Sequence, residues 1–148
     1  MGKFGKIFGT VVGSAALAGT ALLASPATAQ AAPTPCTPQA DACVDLSTKT
    51  SWLVENGAVT YGAVPIAIGM PGHETPTGTF EVTWKNIDHW SQKYDAPMPF
   101  AVFFTSGGVA FHQGDLSTQS HGCVRLIRES AEIYFNELQP GDVVEVVA

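Results

Sequence analysis

"TSWLVENGAVTYGAVPIAIG" (residues 50–69) sets two short apolar runs on either side of Asn56-Gly57. Both central residues of a type I′ turn need positive φ, and Asn-Gly reaches it at least cost, so this is the strongest short-range hairpin signal. The flanking runs hold Val, Ile, Tyr and Trp without helical spacing, which suits strands.

The same grammar continues outward. "GTFEVTW" (78–84) alternates as one strand, with Phe80, Val82 and Trp84 on one face and Thr79, Glu81 and Thr83 on the other. "MPFAVFF" (98–104) repeats the pattern with Phe100, Val102 and Phe104, and "TSGGVAFHQ" turns at Gly107-Gly108 into a strand from Val109 to His112. Ile127, Ala131, Tyr134, Phe135 and Leu138 recur at helical spacing and predict one helix from about Ser130; "QPGD" stops it and "VVEVV" is a last strand. The sum is a mainly β, single-domain sandwich or barrel-like fold with one helix. "KNIDHWSQKYDAPMP" (85–99) follows neither period and is either disordered or a functional Ω-like loop; its Trp90 and Tyr94, offered to a substrate, favour the loop, and the alternative folds those aromatics back onto the sandwich.

Ahead of this domain, Lys3 and Lys6 precede an uncharged run, and "SPATAQAA" supplies small-x-small sites at Ala27/Ala29 and Ala29/Ala31. Residues 1–31 therefore read as a secretory signal peptide; the Gly, Ser and Thr content and the Ala-x-Ala ending argue against a membrane anchor. Residues 32–42 read as a Pro/Ala linker and 43–148 as the folded domain, which is expected to be soluble and outside the cytoplasm, at the cell wall. The formal net charge is -6 and grows more negative if Lys3 and Lys6 leave. Such a chain, with its few cations scattered, has no footprint for nucleic acid or an anionic membrane.

Three cysteines divide unequally. Cys36 and Cys43 are close enough for a small disulfide that staples the mature N-terminus, which leaves Cys123 alone. It lies in "SHGCVRL" (120–126). A cysteine attacks as thiolate, and its ordinary pKa of about 8.5 requires a base to take the proton. His121 is two residues away in the same segment, but a histidine from another strand is easier to aim at the sulfur, so His112 is the better base and His121 an orienting or binding group. Gly122 permits a sharp turn that leaves its own N–H and that of Cys123 to face a developing oxyanion. Arg125 follows at period two, where it could bind a substrate carboxylate or a nearby acid. Two other readings stand beside this one: a lone cysteine is more often a small buried hydrophobe, and zinc on His112, His121 and Cys123 lacks a fourth ligand, so no metal is expected.

"FHQGDLSTQSHGCVRL" (111–126) resembles the active-site signature of the L,D-transpeptidase (YkuD-type) catalytic domain, and "PGHETPTGTFEV" (71–82) resembles that family's Thr-Pro-x-Gly-x-Phe stretch in Thr75, Pro76, Gly78 and Phe80. The resemblance covers about Trp52 to Val147. It implies Cys123 as the acylated nucleophile, His112 as its base, the Gln113 carbonyl as the group fixing the tautomer of His112, Ser120 and His121 as shaping the donor site, Gly122 and Cys123 as the oxyanion hole, and Arg125 as support for the turn or the substrate. It further implies attack on the amide between the third residue and D-Ala at position four of a peptidoglycan stem peptide, with 3→3 cross-links as product and carbapenem β-lactams as covalent inhibitors, and no cofactor. Water as acceptor would make the protein an L,D-carboxypeptidase; a non-catalytic wall-binding module of the same fold is the rival from another class. The gap from His112 to Cys123 is shorter than in many family members, so "QGDLSTQS" takes a tighter path.

Overall fold

In the computed structural model, which describes Leu23 and residues 33–148, Asn56 and Gly57 take φ of 50° and 79°, the two positive values that a type I′ turn needs. Apart from Leu23, the signal-peptide expectation for residues 1–31 lies outside the described residues. The turn joins β2 (Thr50–Glu55) to β3 (Ala58–Pro65), and β2 pairs on its other side with β1 (Ala42–Asp45). β4 (Gly78–Glu81) completes the first sheet through β9 (Val143–Val147), in the order β3-β2-β1-β9-β4. β9 lies parallel to β1 and antiparallel to β4.

The second sheet has the order β5-β6-β7-β8, built from β5 (Trp84–Ser91), β6 (Ala96–Phe103), β7 (Ala110–Gln113) and β8 (Val124–Leu126). Between the sheets lie Val44, Leu53, Val82, Val102, Phe104, Phe111, Leu126, Val144 and Val146, all buried. The helix α1 (Arg128–Glu137) adds Ala131 and Tyr134 to this core. The Tyr134 hydroxyl donates to Ser51 Oγ (2.7 Å), whose own proton goes to the Cys43 carbonyl (2.8 Å), so helix and first sheet share one satisfied polar chain. The two-sheet, mainly β architecture with one late helix is the expected one.

Three local expectations change. "GTFEVTW" is not one strand, because the chain changes sheets within it: the Val82 N–H donates to Asp142 beside the first sheet (2.8 Å), while that of Thr83 donates to Phe103 of β6 (2.8 Å). Trp84 thus leaves the face of Phe80 and Val82, stands 46% exposed, and stacks on Phe103 (4.4 Å, 4°). Residues 85–99 are not an Ω-like loop but most of a β-hairpin, with His89 opposite Met98 and Trp90 opposite Pro97. Its period was hidden because β5 is an edge strand with both faces part-wet, and because Pro97 and Pro99 sit where β6 has no partner on its other side.

The linker expectation for 32–42 also moves. Cys36 and Cys43 are bonded, Ala40 is buried, and Asp41 exchanges hydrogen bonds with Val143, N–H to carbonyl (2.8 Å) and Val143 N–H to Oδ2 (2.7 Å). The cause lies in β9: Val144 and Val146 face the core, so Glu145 faces away on a central strand and is 7% exposed. Its carboxylate accepts from the Thr37 N–H (2.9 Å) and from Thr37 Oγ1. A buried carboxylate needs such donors, and residues 36–41 supply them by lying over it.

Candidate active site

Cys123 enters β8 held from both sides. β8 runs parallel to β7, with His112 opposite Arg125. On its other flank Ala67 and Arg125 exchange N–H···O bonds (3.1 and 2.9 Å), and Ser120 is paired with Ile68 and Met70 (2.9 Å each). The turn before the cysteine depends on Gly122 at φ +121°, a region that side-chain-bearing residues rarely enter.

Ser120 and Thr75 lock that turn. Ser120 is 2% exposed; its hydroxyl donates to the Cys123 carbonyl (2.6 Å) and accepts the Gly122 N–H (3.1 Å). Thr75, 3% exposed, accepts the Gly69 N–H (3.0 Å) and donates to the Gly122 carbonyl (2.7 Å). One expectation is corrected here. The Gly122 N–H is turned inward to Ser120, so it does not stand open as half of an oxyanion hole; Ser120 lines the larger cavity while its hydroxyl is spent on the turn. Thr75 marks the Thr-Pro-x-Gly-x-Phe stretch in the sequence, but its place in the site, bridging Gly69 and Gly122, is visible only in the structure.

The Cys123 side chain sits over a small apolar floor of Met98, Ala101, Phe103 and Ala110. Sγ lies 3.8 Å from the Gly108 carbonyl. Burial pushes the thiol up, partly offset by the Ala110 N–H and the Arg125 charge. His112 is 6% exposed, and its Nδ1–H donates to the Gln113 carbonyl (2.7 Å). Burial brings its pKa down to about 4, against that hydrogen bond and with help from Arg125 and His89. The resting site therefore holds neutral thiol and neutral imidazole, with the Nδ1–H committed to the Gln113 carbonyl and Nε2 left unprotonated.

Two cavities meet at the sulfur. The larger, about 590 Å³, is lined by His112, Gln113, Asp115, Ser120, His121, Cys123, Arg125 and the β5–β6 hairpin. The smaller, about 400 Å³, lies among Trp90, Lys93, Phe103, Gly108, Val109 and Cys123. Tyr94 and His121 line both, and their rings stack (4.2 Å, 17°), while His73 packs edge-on against His121 (5.0 Å). Trp90 lines only the smaller cavity, its indole N–H on Asp95 (3.2 Å). Arg125 braces the 114–120 loop, donating to Thr118 Oγ1 (2.9 Å) and to the carbonyls of Thr118 (3.3 Å), Asp115 and Gln119 (3.5 Å each). Ser117 holds the Asp115 carboxyl below its ordinary range. Among the described residues, the buried Gln113 Oε1 has no partner.

A half-buried thiol and a tautomer-fixed imidazole, lining one cavity in a two-sheet β domain, make up a site suited to cysteine acyl transfer. The model of the YkuD L,D-transpeptidase catalytic domain matches residues 39–146, and the chain belongs to that family. It is 33% identical over 104 residues to the probable L,D-transpeptidase 3 of Mycobacterium tuberculosis, covering 57% of this chain and 38% of that protein. It is 30% identical over 121 residues to L,D-transpeptidase 1 of the same species, covering 69% and 48%. Among solved structures, an L,D-transpeptidase from Stackebrandtia nassauensis superposes with a TM-score of 0.68 at 31% identity, covering 72% of this chain and 54% of that one. The LdtMt1 complex with imipenem gives 0.66 at 28%, covering 72% and 57%. The chain thus spans about half the length of these structures and less than half of the curated relatives.

Proposed function

We propose that the protein is an exported peptidoglycan L,D-transpeptidase. Cys123 Sγ attacks the carbonyl carbon of the amide between the third residue and D-Ala of a stem tetrapeptide while its proton passes to His112 Nε2. The tetrahedral intermediate collapses as the C–N bond breaks, and His112 returns the proton to the departing D-Ala amine. The thioester left on Cys123 is then attacked by the side-chain amine of a second stem; His112 takes that amine's proton and returns it to the sulfur as the new amide forms. The imidazole starts neutral, so no proton has to be removed from it first.

The observation that carries this reading is the His112 Nδ1–H held by the Gln113 carbonyl (2.7 Å) in the cavity that also contains Cys123. Membership of the L,D-transpeptidase family supports the substrate class. The relative bound to imipenem supports a carbapenem as a covalent inhibitor of this chain. Export to the wall is supported by the leader pattern of residues 1–31 and by the Cys36–Cys43 disulfide, a bond that persists in oxidising compartments. Intact-protein mass spectrometry after incubation with imipenem or a tetrapeptide stem tests it. One acyl adduct is expected on the wild-type protein and none on Cys123→Ala; a folded wild-type protein that stays unlabelled by both refutes the assignment.

A further inference from the structure

We infer that the smaller cavity is a subsite for a stem-peptide carboxylate next to the scissile amide, and that Lys93 selects it. The inference rests on the acyl-transfer reading of Cys123. The two cavities differ in charge. The larger carries both signs, Asp115 and Arg125, and the Arg125 guanidinium is already turned onto three loop carbonyls and a hydroxyl. Among the described residues lining the smaller cavity, Lys93 is the one Lys, Arg, Asp or Glu; Trp90, Tyr94, Phe103 and Val109 give it an aromatic and apolar wall, to which His89, Ser91, Gln92 and His121 add polar groups.

The ammonium is placed as well as present. Lys93 Nζ lies 5.3 Å from the centroid of Tyr94, and Tyr94 stacks on His121, two residues before the nucleophile. Lys93 is exposed, as are Trp90 and Tyr94, so the cation stands at the wet end of an aromatic wall that leads to the sulfur, where it meets an anion that arrives with the scissile bond in a pair open to screening by salt. A stem whose third-residue carbonyl sits at Cys123 brings a D-Ala carboxylate one residue further on. A third residue that is a diamino diacid brings a side-chain carboxylate at similar range. Both present the same chemistry to Lys93, so the experiment separates them.

Acylation kinetics with three synthetic stems provide the test: the free acid, its C-terminal amide, and its third-residue side-chain amide. The wild-type protein is expected to prefer the free acid over one of the amides by roughly 3- to 10-fold in kcat/KM, and the amide that is penalised identifies the carboxylate. Lys93→Met should erase that preference through KM and Lys93→Arg should keep it, since Lys93 is an exposed side chain whose loss leaves the fold in place. On the wild-type protein, raising ionic strength should shrink the same preference. Lys93→Met retaining full discrimination, or losing equally against all three stems, overturns the inference. Equal wild-type rates on the three stems overturn it alone, whereas no acylation by any stem overturns the acyl-transfer reading as well.

Discussion

Thr75→Val keeps the shape of the side chain and removes its hydroxyl. In the folded protein that hydroxyl satisfies two buried backbone groups, the Gly69 N–H (3.0 Å) and the Gly122 carbonyl (2.7 Å). Water cannot readily replace it, because the chain is packed too closely there: a Cβ built on Gly69 would come within 1.9 Å of the His73 carbonyl oxygen and 2.7 Å of the Thr75 nitrogen. Each buried group left without a partner costs about 1–3 kcal/mol, so the substitution should destabilise the fold by about 3 kcal/mol in all. With an m-value of about 1.5 kcal/mol/M, the urea midpoint should fall by about 2 M. The Gly122 peptide, released from Thr75, no longer holds Cys123 at one orientation, so acylation by imipenem should slow even under conditions where the variant is fully folded. Thr75→Ser, which retains both hydrogen bonds, should recover most of each loss. A Val variant within about 0.5 kcal/mol of wild type, or a Ser variant as weak as the Val, would refute the reasoning, the second because it would assign the effect to the lost methyl group.

The remaining predictions address other parts of the molecule. His112 is neutral in the fold down to about pH 4, whereas an unfolded histidine binds its proton near 6.5. Its contribution is therefore lost as pH falls from 6.5 to 4, by about 3 kcal/mol, and the difference in stability between wild type and His112→Asn, measured by urea titration at each pH, should shrink over that window. Lys85 on β5 donates Nζ to the Phe135 carbonyl (2.7 Å) in the last turn of α1, which has no basic residue of its own there; Lys85→Met should cost about 1 kcal/mol in thermal or urea unfolding. Replacing Cys36 and Cys43 by serine together should cost about 2.5 kcal/mol from the short loop they close, while imipenem still acylates Cys123 in the folded fraction.

Local signals carried the fold and the chemistry furthest. The Asn56-Gly57 hairpin, the late helix and the strand bearing His112 were legible because each is decided by neighbours in the chain. Cys123 and His112 could be picked out because a thiol without a second cysteine and a histidine on another strand are chemical types at a spacing, and the structure lines one cavity with both. The hairpin over residues 85–99 was not, since an edge strand wet on both faces and two prolines leave no period. Nor were the uses of Ser120, Gly122 and Thr75, because the donor and acceptor that each satisfies belong to segments remote in the chain. The two cavities share the Tyr94–His121 stack as a wall, a contact between segments remote in the chain that no pattern within either encodes.

The position of β9 bears on when the domain can close during synthesis. The final strand does not sit at the rim of the first sheet; it is threaded between β1 and β4, parallel to one and antiparallel to the other. Until residues 143–147 are available, β1 lacks a neighbour on one side and β4 has none, and the inner valines of the core have nothing to close against. A nascent chain whose residues 143–147 are still withheld therefore cannot complete this domain early, so that closing the first sheet, and with it the core, waits on the last-made strand.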